Sequence, residues 1–174
     1  MIQAFGFAWE REPSLKLWIM GPWEEDQEYA RECFELVETL GLKDVVFTGR
    51  IDVREYLGRM DMTILTSEGQ PLTILEGFAA HKPAIATDVG NCYGLIHGEG
   101  DSFGDAGIVT HIMNVEEIAE AMVKLGRETN LRLQMGENGY HRLMARYRVE
   151  FMQDTYWHIY RDFAESCGVP FEED

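Results

Sequence analysis

The chain has 174 residues and a formal net charge of -16 at pH 7, from 15 Lys and Arg against 31 Asp and Glu. That length suits one domain, or one half of a larger architecture, and it is enough to bury a core. The acidic balance opposes docking on a phosphate backbone, so nucleic acid is not an expected partner. An anionic ligand would have to be held locally, by backbone N–H groups or a few basic side chains. No apolar run approaches the ~20 residues of a membrane-spanning helix, and the opening "MIQAFGFAWEREPS" lacks a basic flank before its apolar residues. The expectation is a cytoplasmic protein with no transmembrane segment. Cys33, Cys92 and Cys167 are odd in number and far apart, which fits neither a disulfide framework nor a paired metal motif.

In chain order, "MIQAFGFAWEREPS" reads as a helix with no strand ahead of it. Strands are expected at 15 to 20, 45 to 49, 62 to 66, 84 to 88 and 107 to 110, where short runs rich in β-branched residues occur. Amphipathic helices are expected between them at 26 to 40, 53 to 59 and 71 to 81, then at 115 to 126, 129 to 146 and 149 to 166. This alternation predicts an α/β fold, a Rossmann-like parallel sheet with flanking helices. Gly41 should stop the first long helix, Pro83 should close the helix over 71 to 81, and Asn114 should cap the one beginning "VEEIAEAM". "GNCYGLIHGEGDSFGDAG" predicts a short helix followed by a mobile Gly-rich loop. Tyr156, Tyr160 and Phe163 repeat at i, i+4 and i+7 beside Trp157, a pattern that reads as core packing. Asp61 is expected to hydrogen-bond locally at a helix end.

Common catalytic motifs are absent. The glycines at 98, 100 and 104 are spaced one residue too widely for a dinucleotide fingerprint, and there is no P-loop, H-E-x-x-H or G-x-S-x-G. The histidines at 81, 97, 111, 141 and 158 show no ligand spacing, so no metal is expected.

"SEGQPLTILEGFAAHKPAIATD" is more informative. Pro71 suits the first position of a helix, where its missing N–H costs nothing, and Gln70 is no capping residue. The amides of Leu72 and Thr73 then stay available at the positive end of the helix dipole, and Gly69 allows close approach of a pyrophosphate. Glu76 lies ~7.5 Å further along, on a face with Leu72, Ala79 and Ala80. The helix is apolar on most sides, which predicts burial. A buried carboxylate needs donors such as ribose hydroxyls. Glu68 precedes the helix, on a loop at the C-terminal end of "MTILT", where ligands of parallel sheets collect.

These residues, with "LKLWIMGP", "LGLKDVVFTGRIDVREYLGRMDMTILTSEG" and "YRVEFMQDTYWHIYRDF", resemble the retaining family-four glycosyltransferases of the GT-B type over nearly the whole chain. "FTGRIDVREYL", "EGQPLTILEG" and "ATDVGNCYGLI" are most similar to the glycosyltransferases of the Pel exopolysaccharide system. The resemblance implies that residues 1–174 form one donor-binding Rossmann-like domain. Glu68 would lie near the anomeric carbon as the catalytic carboxylate, and Glu76 would hold the ribose. Gly69, Pro71, Leu72 and Thr73 would surround the diphosphate, and Arg50 and Ile51 would lie against the base. It implies a UDP-glucose-like donor, a saccharide acceptor and no metal cofactor.

The resemblance also implies a first strand carrying an Arg and a Lys, positions beyond which this chain begins, and an acceptor-binding N-terminal domain toward which the helix at 147 to 166 crosses. The chain is accordingly expected to be a fragment that binds donor weakly and transfers no sugar alone. A non-catalytic nucleotide-sugar binding module and a GT-B UDP-sugar epimerase are the alternative readings.

Overall fold

The structure, a computed structural model, describes residues 1–66 and 71–171. Helix α1 (Ile2–Arg11) leads into β1 (Leu17–Met20), α2 (Gln27–Thr39), β2 (Val45–Gly49), α3 (Arg54–Leu57) and β3 (Thr63–Leu65). Then come α4 (Leu72–Ala79), β4 (Ala84–Thr87), α5 (Cys92–His97), β5 (Gly107–Thr110), α6 (Val115–Arg127), α7 (Thr129–Arg146) and α8 (Val149–Cys167). Every expected strand and helix is present, and all strand pairs are parallel, as the alternation requires.

The strands form two sheets. β1 pairs with β2, starting from Leu17 opposite Val45, and the second sheet has the order β3-β4-β5. Both sheets contribute to one apolar cluster: Leu17 from the first and Ile85 from the second pack with Phe5 and Ala8 of α1 and with Ile118, Met122 and Leu125 of α6. A second cluster joins Ala84 and Ala86 to Ile74 and Phe78 of α4 and to Leu95 and Ile96 of α5. β4 therefore sends alternate side chains into opposite cores, and all four of its residues are buried. This is the two-sided burial that an unbroken apolar strand predicts.

The helix ends follow local chemistry. Asp26 accepts from the Tyr29 amide at 3.0 Å to cap α2, and Asn114 accepts from the Glu117 amide at 3.2 Å to cap α6. α2 closes with Gly41 at φ 64 and the Leu42 amide on the Val37 carbonyl at 3.1 Å, a Schellman turn. α4 ends the same way, but on His81 at φ 58, with the Lys82 amide on the Gly77 carbonyl at 2.9 Å. So it is His81, two residues before Pro83, that reverses the chain. Its left-handed backbone is held by α7, where Tyr140 stacks on the imidazole at 3.9 Å and Glu137 meets Nδ1 at 2.9 Å.

α7 approaches α4 through glycines. A methyl on Gly136 would lie 2.2 Å from the His81 carbonyl oxygen, and one on Gly139 would lie 2.4 Å from the Phe78 ring. One turn further on, Arg142 is fully buried. It donates to both Asp101 carboxylate oxygens at 2.7 and 2.9 Å, and to the carbonyls of Leu95, Ile96 and Gly104 at 3.1, 2.8 and 2.6 Å. Asn138 also donates to the Asp105 carbonyl at 2.8 Å, and Arg146 to the Glu99 carbonyl at 2.7 Å. The Gly-rich loop expected to be mobile is thus tied to α7 along its length. Gly136, Gly139 and Arg142, spaced three apart, were the sequence sign of this close helix face.

Two further expectations are corrected. Asp61 does not bond locally; it pairs at 3.2 Å with Arg132, whose guanidinium also caps the Leu125 carbonyl at the end of α6 at 2.6 Å. Tyr156, Tyr160 and Phe163 are not core residues, because α8 buries none of its side chains. Among the described residues no helix is long and apolar enough to cross a membrane.

Gly136→Ala should destabilise the protein. Alanine gains about 1 kcal/mol of helix propensity, but its methyl meets a backbone carbonyl that cannot rotate away, and such overpacking costs about 1–3 kcal/mol or more. Urea denaturation should show a lower midpoint; an unchanged one would contradict the packing argument. The Arg142 guanidinium holds the Asp101 carboxyl below the ordinary carboxylate range. A depressed folded-state pKa gives stability that is complete above the unfolded value of ~3.9 and is lost as pH falls through the folded value. Asp101→Ala should therefore cost about 3–5 kcal/mol at neutral pH by stranding a buried cation, and the gap from the parent protein should narrow on acidification. A gap constant down to pH 2 would refute this.

Candidate functional site

The described chain leaves β3 at Leu65 and resumes at Pro71. Glu68 and Gly69 lie outside the described residues. Pro71 occupies the cap position, one residue earlier than its expected place inside the helix, and its carbonyl accepts from the amides of Ile74 at 3.0 Å and Leu75 at 3.3 Å. The Leu72 and Thr73 amides precede these bonds, and among the described residues no side chain caps the helix start.

Glu76 is exposed, contrary to the burial expected of it. α4 packs through Ile74, Gly77 and Phe78, with Leu75 half-buried beside them, against Thr63 of β3, α5 and α7. Its other side, carrying Leu72, Thr73, Glu76 and Ala79, is left open. Apolarity all round the helix suggested burial all round, but a short helix against one sheet has neighbours on one side only. Leu72 keeps 59% of its surface exposed, an unusual state for leucine in a helix this apolar. Among the described residues Glu76 has no hydrogen-bond or ion-pair partner. It is a free carboxylate about one helical turn from bare amides.

Arg50 and Ile51 stand elsewhere, where the chain leaves β2 in the other sheet. Ile51 is half-buried, and Arg50 reaches the Glu25 carboxylate at 3.5 Å with both side chains in solvent. Beyond them Asp52 accepts from the backbone N–H of Arg54 at 3.1 Å and from its Nε at 2.9 Å, opening α3. The Arg54 bonds hold the Asp52 carboxyl down to about 2, so it is ionised at any physiological pH. The sequence reading did not single out Trp23 or Glu25, which belong to the same corner on the β1 side. Their only sequence sign was an aromatic residue just after the Gly-Pro that ends β1.

Among the described residues no three or more His, Cys, Asp or Glu side chains are grouped to hold a metal ion. His81, His97 and His111 each pair with one carboxylate, those of Glu137, Asp105 and Glu117.

Comparison with known proteins gives a consistent picture. LpsE of Rhizobium meliloti, a lipopolysaccharide core biosynthesis glycosyltransferase, is 27% identical over 154 residues, covering 84% of this chain and 42% of its own. The chain spans well under half the length of the curated relatives it matches. Among solved structures, Anabaena HepE in complex with UDP and glucose superposes with a TM-score of 0.78 at 19% identity, over 92% of this chain and 44% of HepE. The C-terminal domain of a Francisella tularensis group 1 glycosyl transferase, LpcC, gives 0.74 at 22% identity, over 85% of this chain and 77% of that one. The fold is shared with GT-B glycosyltransferases. The family model described as glycosyl transferases group 1 matches residues 1–128, and the chain belongs to that family.

Proposed function

We propose that the chain is the nucleotide-sugar-binding half of a retaining GT-B glycosyltransferase. The whole enzyme would transfer a hexose from a UDP-glucose-like donor to a saccharide acceptor in exopolysaccharide synthesis, in the manner of the Pel system. The observation that carries this reading is the open face of α4, where the Leu72 and Thr73 amides adjoin the carboxylate of Glu76, none of them with a side-chain partner among the described residues. In a chain with a net charge of -16, a helix start supplies local positive potential that the side chains do not. Support comes from the UDP and glucose held by HepE and from relatives such as EpsD of Bacillus subtilis, named a putative glycosyltransferase.

In this reading the two amides and the helix dipole stabilise the departing diphosphate, and no metal takes part. Gly69 and Pro71 allow the backbone to approach the phosphates. Glu76 accepts from the ribose hydroxyls, Arg50 and Ile51 lie against the base, and Glu68 faces the anomeric carbon. The acceptor is bound by an N-terminal domain, which meets the exposed aromatic stripe of α8. A further parallel strand lies between the free edges of β1 and β3 and joins the two sheets.

Two measurements test this. Calorimetric titration of the chain with UDP should show binding, and Glu76→Ala should lose roughly 1.5–3 kcal/mol of it, the worth of hydrogen bonds to a charged acceptor. Equal affinity would remove Glu76 from the ribose. With α8 uncovered, the 174-residue chain should self-associate as concentration rises, through Tyr156, Tyr160 and Phe163. Light scattering from a clean monomer at high concentration would count against the missing-domain reading.

A further inference from the structure

We propose that Trp23 is the platform on which the donor's nucleobase rests, so that base affinity in this protein is set by the loop after β1 as well as by the loop after β2. The inference depends on the proposed nucleotide-sugar site and assigns it a residue outside the motif that led to it.

The two loops start from one point. The Gly21 amide donates to the Gly49 carbonyl at 3.1 Å, a bridge between the residue after β1 and the last residue of β2. Gly49 has φ 69, and a Cβ there would come within 3.1 Å of the Trp23 ring. The indole therefore lies against bare backbone immediately before Arg50 and Ile51. It is fixed from behind: Phe34 of α2 meets it edge-on at 6.1 Å and 76°, and Phe47 of β2 meets Phe34 at 4.5 Å and 70°. Phe47 in turn packs on the first core cluster. This ladder of three rings holds Trp23 in one orientation, yet 36% of it remains exposed. A large aromatic held rigidly by the core and left partly bare is a poor solution for stability alone. It offers a preorganised π surface at the end of parallel strands, where ligands of such sheets collect.

The charges around it select the kind of group that can sit there. Glu24, Glu25 and Asp26 follow the ring directly, and Arg50 is engaged by Glu25. Asp26 is occupied as the α2 cap, and the Asp52–Arg54 pair is closed on itself. This surplus of carboxylates repels phosphate and suits a flat, uncharged ring with N–H donors. The corner and the α4 start thus divide a nucleotide between them, the base toward Trp23 and the phosphates toward Leu72 and Thr73.

The test titrates UDP, uridine and inorganic pyrophosphate into the 174-residue chain and into three variants, Trp23→Ala, Trp23→Leu and Glu76→Ala. Stacking on an aromatic ring predicts that Trp23→Ala weakens UDP by about 5- to 100-fold and uridine in proportion, while pyrophosphate affinity is unchanged. Trp23→Leu preserves the apolar contact with Phe34 but has no π face, so it should lose a similar factor with unchanged thermal unfolding. Saturating UDP should also quench the fluorescence of the parent protein by an amount that Trp23→Leu abolishes. If both Trp23 variants bind UDP as the parent does while Glu76→Ala is weakened, the platform is refuted and the donor site stands. If the parent binds neither UDP nor pyrophosphate, both readings fall together.

Discussion

The organisation of this domain depends on how closely α7 lies against the end of α4. Two glycines make that approach possible, Gly136 beneath the His81 carbonyl and Gly139 beneath the Phe78 ring. Because α7 and β3 take one side of α4, the other side has no neighbour among the described residues. The helix start and Glu76 are therefore presented to solvent instead of being absorbed into the core. The same helix face continues to Arg142, whose bonds to Asp101 and three carbonyls hold the segment after α5. One packing surface thus orients the candidate site and anchors the longest irregular segment.

The electrostatics follow a consistent division. A strongly acidic chain has little positive field to offer an anion, so local devices matter more than net charge. Several of its arginines are committed to structure. Arg142 is buried, Arg132 caps α6 and meets Asp61, and Arg127 joins Glu12 where α6 and α1 end. Backbone amides at helix starts are then the natural anion-binding groups, and Pro71, the cap residue of α4, offers its start no side-chain bond, whereas Asp26 and Asn114 cap α2 and α6.

The elements show where a sequence is informative. The five strands and the major helices were legible because their cause is local: periodicity of two or 3.6, a capping Asn, a Gly with positive φ. Membership of the family was also legible, since the stretch from Glu68 to Glu76 and the strands flanking it are contiguous in the sequence. The burial of Glu76 and of the α8 aromatics was misread for a shared reason. Apolar periodicity says that a face will seek a partner, and it cannot say whether the partner lies within the same 174 residues.

Composition and order along the chain determined the fold class and the acidic balance. Only the tertiary structure decided that β1-β2 and β3-β4-β5 form separate sheets under one core, that His81 rather than Pro83 turns the chain, and that the Gly-rich loop is clamped by Arg142. It also set Trp23 against Gly49 beside Arg50. Each of these depends on contacts between residues far apart in the chain, and such contacts leave no periodic trace in the sequence because they are settled by which surfaces meet when the chain closes.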